Sequence, residues 1–128
     1  MSGKGKVLLM DDEQIILDVT GEILTFLGYD VMTAKDGQAA VDLYKKEKAA
    51  ESPFDMVILD LSVPHGLGGK ETIELLRTFD PDVKAVVSSG YTNDPAVQDF
   101  SRYGFCKRLT KPYNIKDMKN LLESVIKK

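Results

Sequence analysis

Several short apolar runs of this chain end in residues that can do chemistry. VLLM at 7–10 runs into Asp11-Asp12-Glu13, MVIL at 56–59 into Asp60, AVV at 85–87 into Ser88-Ser89-Gly90, and a last run closes at Thr110-Lys111-Pro112. Three carboxylates brought close together cannot all stay ionised without a counter-charge. A set of oxygen donors with room for water suits a hard divalent ion such as Mg²⁺, with Mn²⁺ as a substitute. A carboxylate held beside such an ion is a nucleophile toward a phosphoryl group, while a lysine and a small hydroxyl neutralise the charge spread over the equatorial oxygens. Gly90, directly after Ser89, leaves those oxygens room. Taken singly, each residue has a plainer use: Asp12 as a helix N-cap, Asp60 as a turn residue before Pro64, Ser-Ser-Gly and Lys-Pro as loop dipeptides. The chemical reading requires that all of them meet in one place.

The elements that would bring them together are legible as a βα repeat, in which apolar runs alternate with stretches of helical spacing. Strands are expected at Lys6 to Met10, Tyr29 to Ala34, Met56 to Leu59, Ala85 to Ser88 and Phe105 to Leu109. Ile15, Val19, Ile23 and Leu27 recur along the first helix, and Ile115, Met118, Leu122 and Val125 along the last, so each is expected to bury that stripe. Ala40, Leu43 and Tyr44 mark a second helix and Ile73, Leu75 and Leu76 a third. A fourth is expected over Pro95 to Tyr103 with Val97 and Phe100 inward, opened by Asn93 or Asp94. VLLM and MVIL are apolar at every position, as a parallel sheet covered on both faces requires. The fold expected is therefore a doubly wound α/β domain of flavodoxin-like (βα)5 type, strand order 2-1-3-4-5, with ligands beyond the carboxyl ends of the strands. In that order Asp11 and Asp12 neighbour Asp60 across a strand spacing of about 4.8 Å. Ser89 lies one strand further and Lys111 two, a gap of roughly 10 Å that an extended lysine can largely close.

Composition narrows the partners. The 128 residues carry 17 Lys plus Arg against 20 Asp plus Glu, a net charge of −3, and read as one domain over 1–128 that folds unaided. No basic cluster large enough for duplex nucleic acid is present, since Lys45, Lys46 and Lys48 are broken by Glu47. No stretch approaches the ~18 to 20 apolar residues that span a bilayer, and the charged opening MSGKGK is not a secretion signal, so a cytoplasmic location and no membrane contact are expected. The single cysteine, Cys106, excludes an internal disulfide and is expected as a small buried hydrophobe on the last strand. The lone histidine, His65, sits in a loop and reads as solvated. Gly68-Gly69-Lys70 is not a phosphate-binding loop, because Pro64 and Glu71 stand where that motif needs Gly and Ser or Thr.

Taken together, the acidic pair in LLMDDE, the aspartate in VILDLSVP with Pro64 four residues on, the serine in VVSSGY and the LTKP near the end resemble the receiver domain of two-component response regulators. The likeness runs over essentially all of 1–128. It implies that Asp60 accepts a phosphoryl group from a phosphohistidine, carried by a histidine kinase or a histidine phosphotransfer domain. It implies that Asp12, Asp60 and the Ser62 carbonyl ligate Mg²⁺ directly, with Asp11 acting mainly through a metal-bound water. Ser89 would hydrogen-bond the phosphoryl group, Lys111 would pair with it, and the Lys111-Pro112 bond would be cis. Such a domain is a switch that assists its own phosphorylation and dephosphorylation rather than a turnover enzyme.

Two spellings depart from the common pattern. Arg108 stands where many members carry an aromatic switch residue, with Tyr91 and Phe105 as the available substitutes, and the loop from Pro64 to Gly69 is one residue longer than usual. That loop, with SSGYTNDP and GFCKRLTKPY, looks like receivers attached to hybrid sensor histidine kinases. A guanidinium is costly to bury alone, so Arg108 is expected at the surface beside Lys107 and Tyr103. The polar face so formed favours a monomer. Two rivals keep the fold: a phosphorylation-independent interaction module, which predicts a broken site, and a flavin-binding electron carrier, whose phosphate Asp11-Asp12-Glu13 would repel.

Overall fold

The computed structural model describes residues 4–64, 66–90 and 93–126; His65 and Tyr91 lie outside the described residues. Five strands, β1 (Lys6–Met10), β2 (Asp30–Ala34), β3 (Met56–Asp60), β4 (Ala85–Ser89) and β5 (Lys107–Thr110), form one sheet in the order β2-β1-β3-β4-β5. Every pairing is parallel. The connections are α1 (Gln14–Phe26), α2 (Gly37–Ala49), α3 (Gly69–Phe79) and α4 (Pro95–Gln98), with α5 (Ile115–Val125) closing the chain.

Alternation along the strands splits the core in two. Leu8, Met10, Val57, Leu59, Ala85 and Val87 meet α2, α3 and the segment after β4 through Ala40, Val41, Tyr44, Ile73, Leu76, Val97 and Phe105. On the opposite face, Val7, Leu9, Met56, Ile58, Val86 and Leu109 meet α1 and α5 through Leu17, Leu24, Met118, Leu121, Leu122 and Val125. Strands buried from both sides explain why VLLM and MVIL carry no polar alternation.

The strand reading stands within a residue or two, but four expectations from helix and strand patterning do not. In α1 the buried residues are Leu17, Thr20 and Leu24, while Ile15 is 69% and Val19 51% exposed and Ile23 and Leu27 are only half-buried. The helix is apolar on almost every side, so an i+4 series exists on more than one face and does not identify the inward one. Ile115 likewise points outward from a helix whose core is held by Met118, Leu121, Leu122 and Val125.

The expected fourth helix is broken. Asp94 caps a single α-turn, its side chain accepting from the Ala96 amide, but Asp99 leaves helical geometry and a separate 3₁₀ turn over Phe100–Tyr103 follows. That turn ends at Gly104 with φ 100°, a left-handed cap only glycine takes cheaply. Cys106 is exposed rather than buried, because by alternation it shares the side of the edge strand β5 on which Arg108 and Thr110 are also exposed.

One packing contact ties the loop after β3 to α2. The Gly37 amide donates to the Leu67 carbonyl at 2.9 Å, and a Cβ at Gly37 would sit 1.9 Å from Thr72 Oγ1 and 2.9 Å from that carbonyl. Thr72 cannot withdraw freely, since its hydroxyl donates to the Gly68 carbonyl at 2.7 Å. Gly37→Ala should therefore destabilise the protein by about 1–3 kcal/mol. Gly21→Ala, inside α1 with nothing within 4 Å of the added carbon, should stabilise it by about 0.5–1 kcal/mol. Urea unfolding of both variants checks the contrast; equal midpoints would contradict it.

Candidate functional site

The site is assembled at the carboxyl edge of the sheet. The Asp11 amide continues the β1–β2 ladder by donating to the Ala34 carbonyl at 3.1 Å, which fixes the acidic pair directly beyond β1. Asp11 is buried and its Oδ1 accepts from the Glu13 amide at 3.0 Å. Asp12 is exposed, and the N-cap position of α1 is taken by Glu13, so the capping role open to Asp12 is not the one it plays. Asp60 closes β3 with its side chain buried, in register with Ser88 of β4. Beyond β5 the Lys111 amide donates to the Ser89 carbonyl at 2.9 Å, and the Lys111–Pro112 bond is cis, as the family resemblance implies.

The lysine closes the gap across the strands. Its Nζ donates to Asp11 Oδ2 at 2.7 Å and to Asp60 Oδ1 at 3.4 Å. Carboxylate oxygens of Asp11, Asp12 and Asp60 lie within 4.8 Å of one another. Around them opens a cleft of about 500 Å³ whose walls include Asp12, Asp60, Ser62, Ser89, Gly90 and Lys111. The structure thus brings together all six residues singled out in the sequence, with Asp11 buried just behind the cleft wall as the lysine's tighter partner.

Electrostatics follow from the crowding. Burial, and then the neighbouring Asp11 charge, push the Asp60 carboxyl up to about 6, against the partial relief given by Lys111. For Lys111, burial alone would favour the neutral amine, but Asp11 and Asp60 together outweigh it and hold the ammonium above the ordinary lysine range. One ammonium does not balance three carboxylates. An all-oxygen donor set of this size with an open side fits a hard divalent cation, so the residues present suit Mg²⁺.

Two features near the site were not foreseen. Ile16, Val19 and Ile23 of α1 form an apolar recess with Pro112 and Tyr113, while Tyr113 Oη and Thr20 Oγ1 are 2.9 Å apart and so tie α1 to the turn after Lys111. The excess of apolar residues around α1 was the available signal. Arg108 is exposed, as expected, but its Nη1 also donates to the Val97 carbonyl in the short α4 at 3.4 Å. Phe105, one of the two candidate substitutes for the missing aromatic, is locked in the core.

A family model for the response regulator receiver domain matches residues 7–123. The chain belongs to that family. It is 32% identical over 123 residues to the chemotaxis protein CheY of Treponema pallidum, covering 95% of this chain and 83% of that one. It is 29% identical to the two-component response regulator ARR10 of Arabidopsis thaliana over 96% of this chain but 21% of that protein, so the receiver spans about a fifth of that relative's length. Among solved structures, the CheX-CheY-BeF3-Mg²⁺ complex from Borrelia burgdorferi superposes with a TM-score of 0.86 at 26% identity, covering 97% of this chain and 90% of that one. Receiver domains of this kind are phospho-acceptor switches, and no helix among the described residues is long and apolar enough to cross a membrane.

The raised Asp60 carboxyl makes the stability of this receiver pH-dependent. An acid whose folded pKa exceeds its unfolded value contributes stability that is present below 3.8 and lost as pH rises through about 6. In divalent-free buffer Asp60→Asn should therefore be more stable than wild type at pH 8, with the advantage opening between pH 4 and 7 and level above. Adding Mg²⁺ should narrow it. Thermal melts across that range with EDTA or Mg²⁺ are the check, and a pH-independent difference would contradict the assignment.

Proposed function

We propose that this receiver takes a phosphoryl group from a phosphohistidine onto Asp60 and later releases it to water, changing its interactions while the group is in place. The observation that supports this best is the position of Asp60: buried at its base, open to the cleft, and next to Lys111, Asp11 and Asp12. Asp12, Asp60 and the Ser62 carbonyl, with Asp11 behind them, would hold Mg²⁺, which would supply positive charge against the phosphoryl oxygens and favour the ionised Asp60 carboxylate. The residues do the rest. Lys111 is anchored on Asp11 and needs only to swing from Asp60 Oδ1 to meet an incoming equatorial oxygen, so the ammonium is already in place when charge develops. Ser89 and Gly90 line the wall on which that group must rest.

The donor is a histidine kinase or a histidine phosphotransfer domain. The exposed Ile15 and Val19, with the recess between α1 and Tyr113 beside Lys111, offer an apolar footing from which a partner's imidazole reaches the cleft. The β5 edge, where Lys107 and Arg108 are exposed, is polar and disfavours a hydrophobic dimer seam, consistent with a monomer. The domain occupies the chain as one receiver and acts as a switch in the cytoplasm.

With a small phosphodonor and Mg²⁺, intact mass should show one added phosphoryl group, labile to hydroxylamine as an acyl phosphate is, and absent from Asp60→Asn. Labelling of that variant as strong as wild type would remove Asp60 from the role. Asp12→Ala should weaken Mg²⁺ binding by at least about tenfold, since it removes a ligand from the open side of the site; equal titrations would exclude Asp12 as a ligand.

A further inference from the structure

Beside Asp60 the structure holds a second serine that the proposed chemistry does not use. Ser88 is 2% exposed, and its Oγ is the one buried side-chain polar atom without a hydrogen-bond partner among the described residues. A hydroxyl out of water with no acceptor is costly, and a valine would fill a strand position between two apolar layers without that cost. The question is what acceptor the hydroxyl is kept for.

Register answers it. Ser88 pairs with Asp60 of β3 on one side and with Leu109 of β5 on the other. Residues paired across parallel strands share a face, and here the face is the one toward α1 and α5, where Ile58, Val86 and Leu109 pack. Ser89, the next residue, belongs by alternation to the other face and lines the cleft. Of the two residues in register with Ser88, only Asp60 carries an acceptor. In the present geometry Asp60 Oδ1 is directed to Lys111 at 3.4 Å and the serine is left without a partner. Once Asp60 carries a phosphoryl group, Lys111 pairs with that group, and the carbonyl oxygen of the mixed anhydride is the side-chain acceptor in register with Ser88.

We propose that Ser88 donates a hydrogen bond to the Asp60 carbonyl oxygen in the phosphorylated state and so hastens loss of the phosphoryl group. This rests on Asp60 being the phospho-acceptor. In hydrolysis water attacks phosphorus, the bond from phosphorus to the Asp60 oxygen breaks, and its electron pair stays on the carboxylate. The proton from water leaves with inorganic phosphate. Negative charge grows on both carboxylate oxygens as that bond opens, so a hydrogen bond to the carbonyl oxygen is stronger in the transition state than in the acyl phosphate. The same bond to the resting carboxylate gives no help to the forward attack. The hydroxyl therefore sets the lifetime of the signal rather than the speed at which it is acquired.

The test uses the full chain labelled with acetyl phosphate and Mg²⁺, the donor removed, and phosphoryl loss followed by intact mass. Ser88→Ala should lengthen the lifetime about tenfold without slowing labelling, and Ser88→Thr, which keeps the hydroxyl, should stay within about twofold of wild type. Should Ser88→Ala fail to fold by its thermal melt, Ser88→Cys, near in size and a weak donor, should also lengthen the lifetime. Lifetimes equal to or shorter than wild type in the hydroxyl-free variants, or a threonine variant as slow as the alanine one, overturn the proposal and leave Asp60 as the acceptor. Wild type that takes up no phosphoryl group overturns both.

Discussion

Two carboxylates, Asp11 and Asp60, are buried side by side at the edge of a hydrophobic sheet, and the rest of the structure is arranged around making that tolerable. Burying two like charges together is costly unless a cation is paired with them. The lysine that answers them comes from two strands away and from the far end of the chain, so the ion pair exists only when β1, β3, β4 and β5 are all paired in register. A slip of one residue in any of these strands would turn an apolar side chain into the cleft and a charge into the core. Formation of the fold and formation of the site are thus a single event.

The same constraint divides labour among the helices. The face of the sheet toward α2 and α3 holds the loop after β3 and the wall built by Ser89 and Gly90. The face toward α1 and α5 holds the lysine turn through the pairing of Thr20 with Tyr113. The exposed apolar residues of α1 lie next to that turn, so the surface best suited to a protein partner adjoins the residues that would receive the phosphoryl group. Under the proposed function, recognition and chemistry would share a structural support rather than communicating over a distance.

How much of this could be seen beforehand depended on which physical signal carried it. The strands and their order were legible because Val7 to Met10 and Met56 to Leu59 are apolar at every position, which admits few architectures besides a covered parallel sheet. The site residues were legible because polar groups at the ends of such runs have only one edge at which to gather. The inward face of α1 was not, since Ile15, Ile16, Val19 and Ile23 give the helix apolar residues on several sides and only packing against the sheet and α5 selects Leu17 and Leu24. The exposure of Cys106 was hidden for a related reason: it depends on β5 lying at the edge of the sheet with the side of Cys106, Arg108 and Thr110 exposed, which no local pattern records. Ser88 and Ser89 looked interchangeable in sequence, and only the alternation of β4 separates the one that lines the cleft from the one buried beneath it.

The contact at Gly37 has a mechanical meaning. With no space for even a methyl group between the start of α2 and the Leu67 carbonyl, and with an amide bonded to that carbonyl, the loop that leaves Asp60 and the neighbouring helix touch backbone to backbone. Such a joint neither compresses nor slides. Any displacement of Leu67 that accompanies a change at Asp60 therefore bears on the tip of α2, and a helix of thirteen residues turns a push at its tip into a larger movement at its far end.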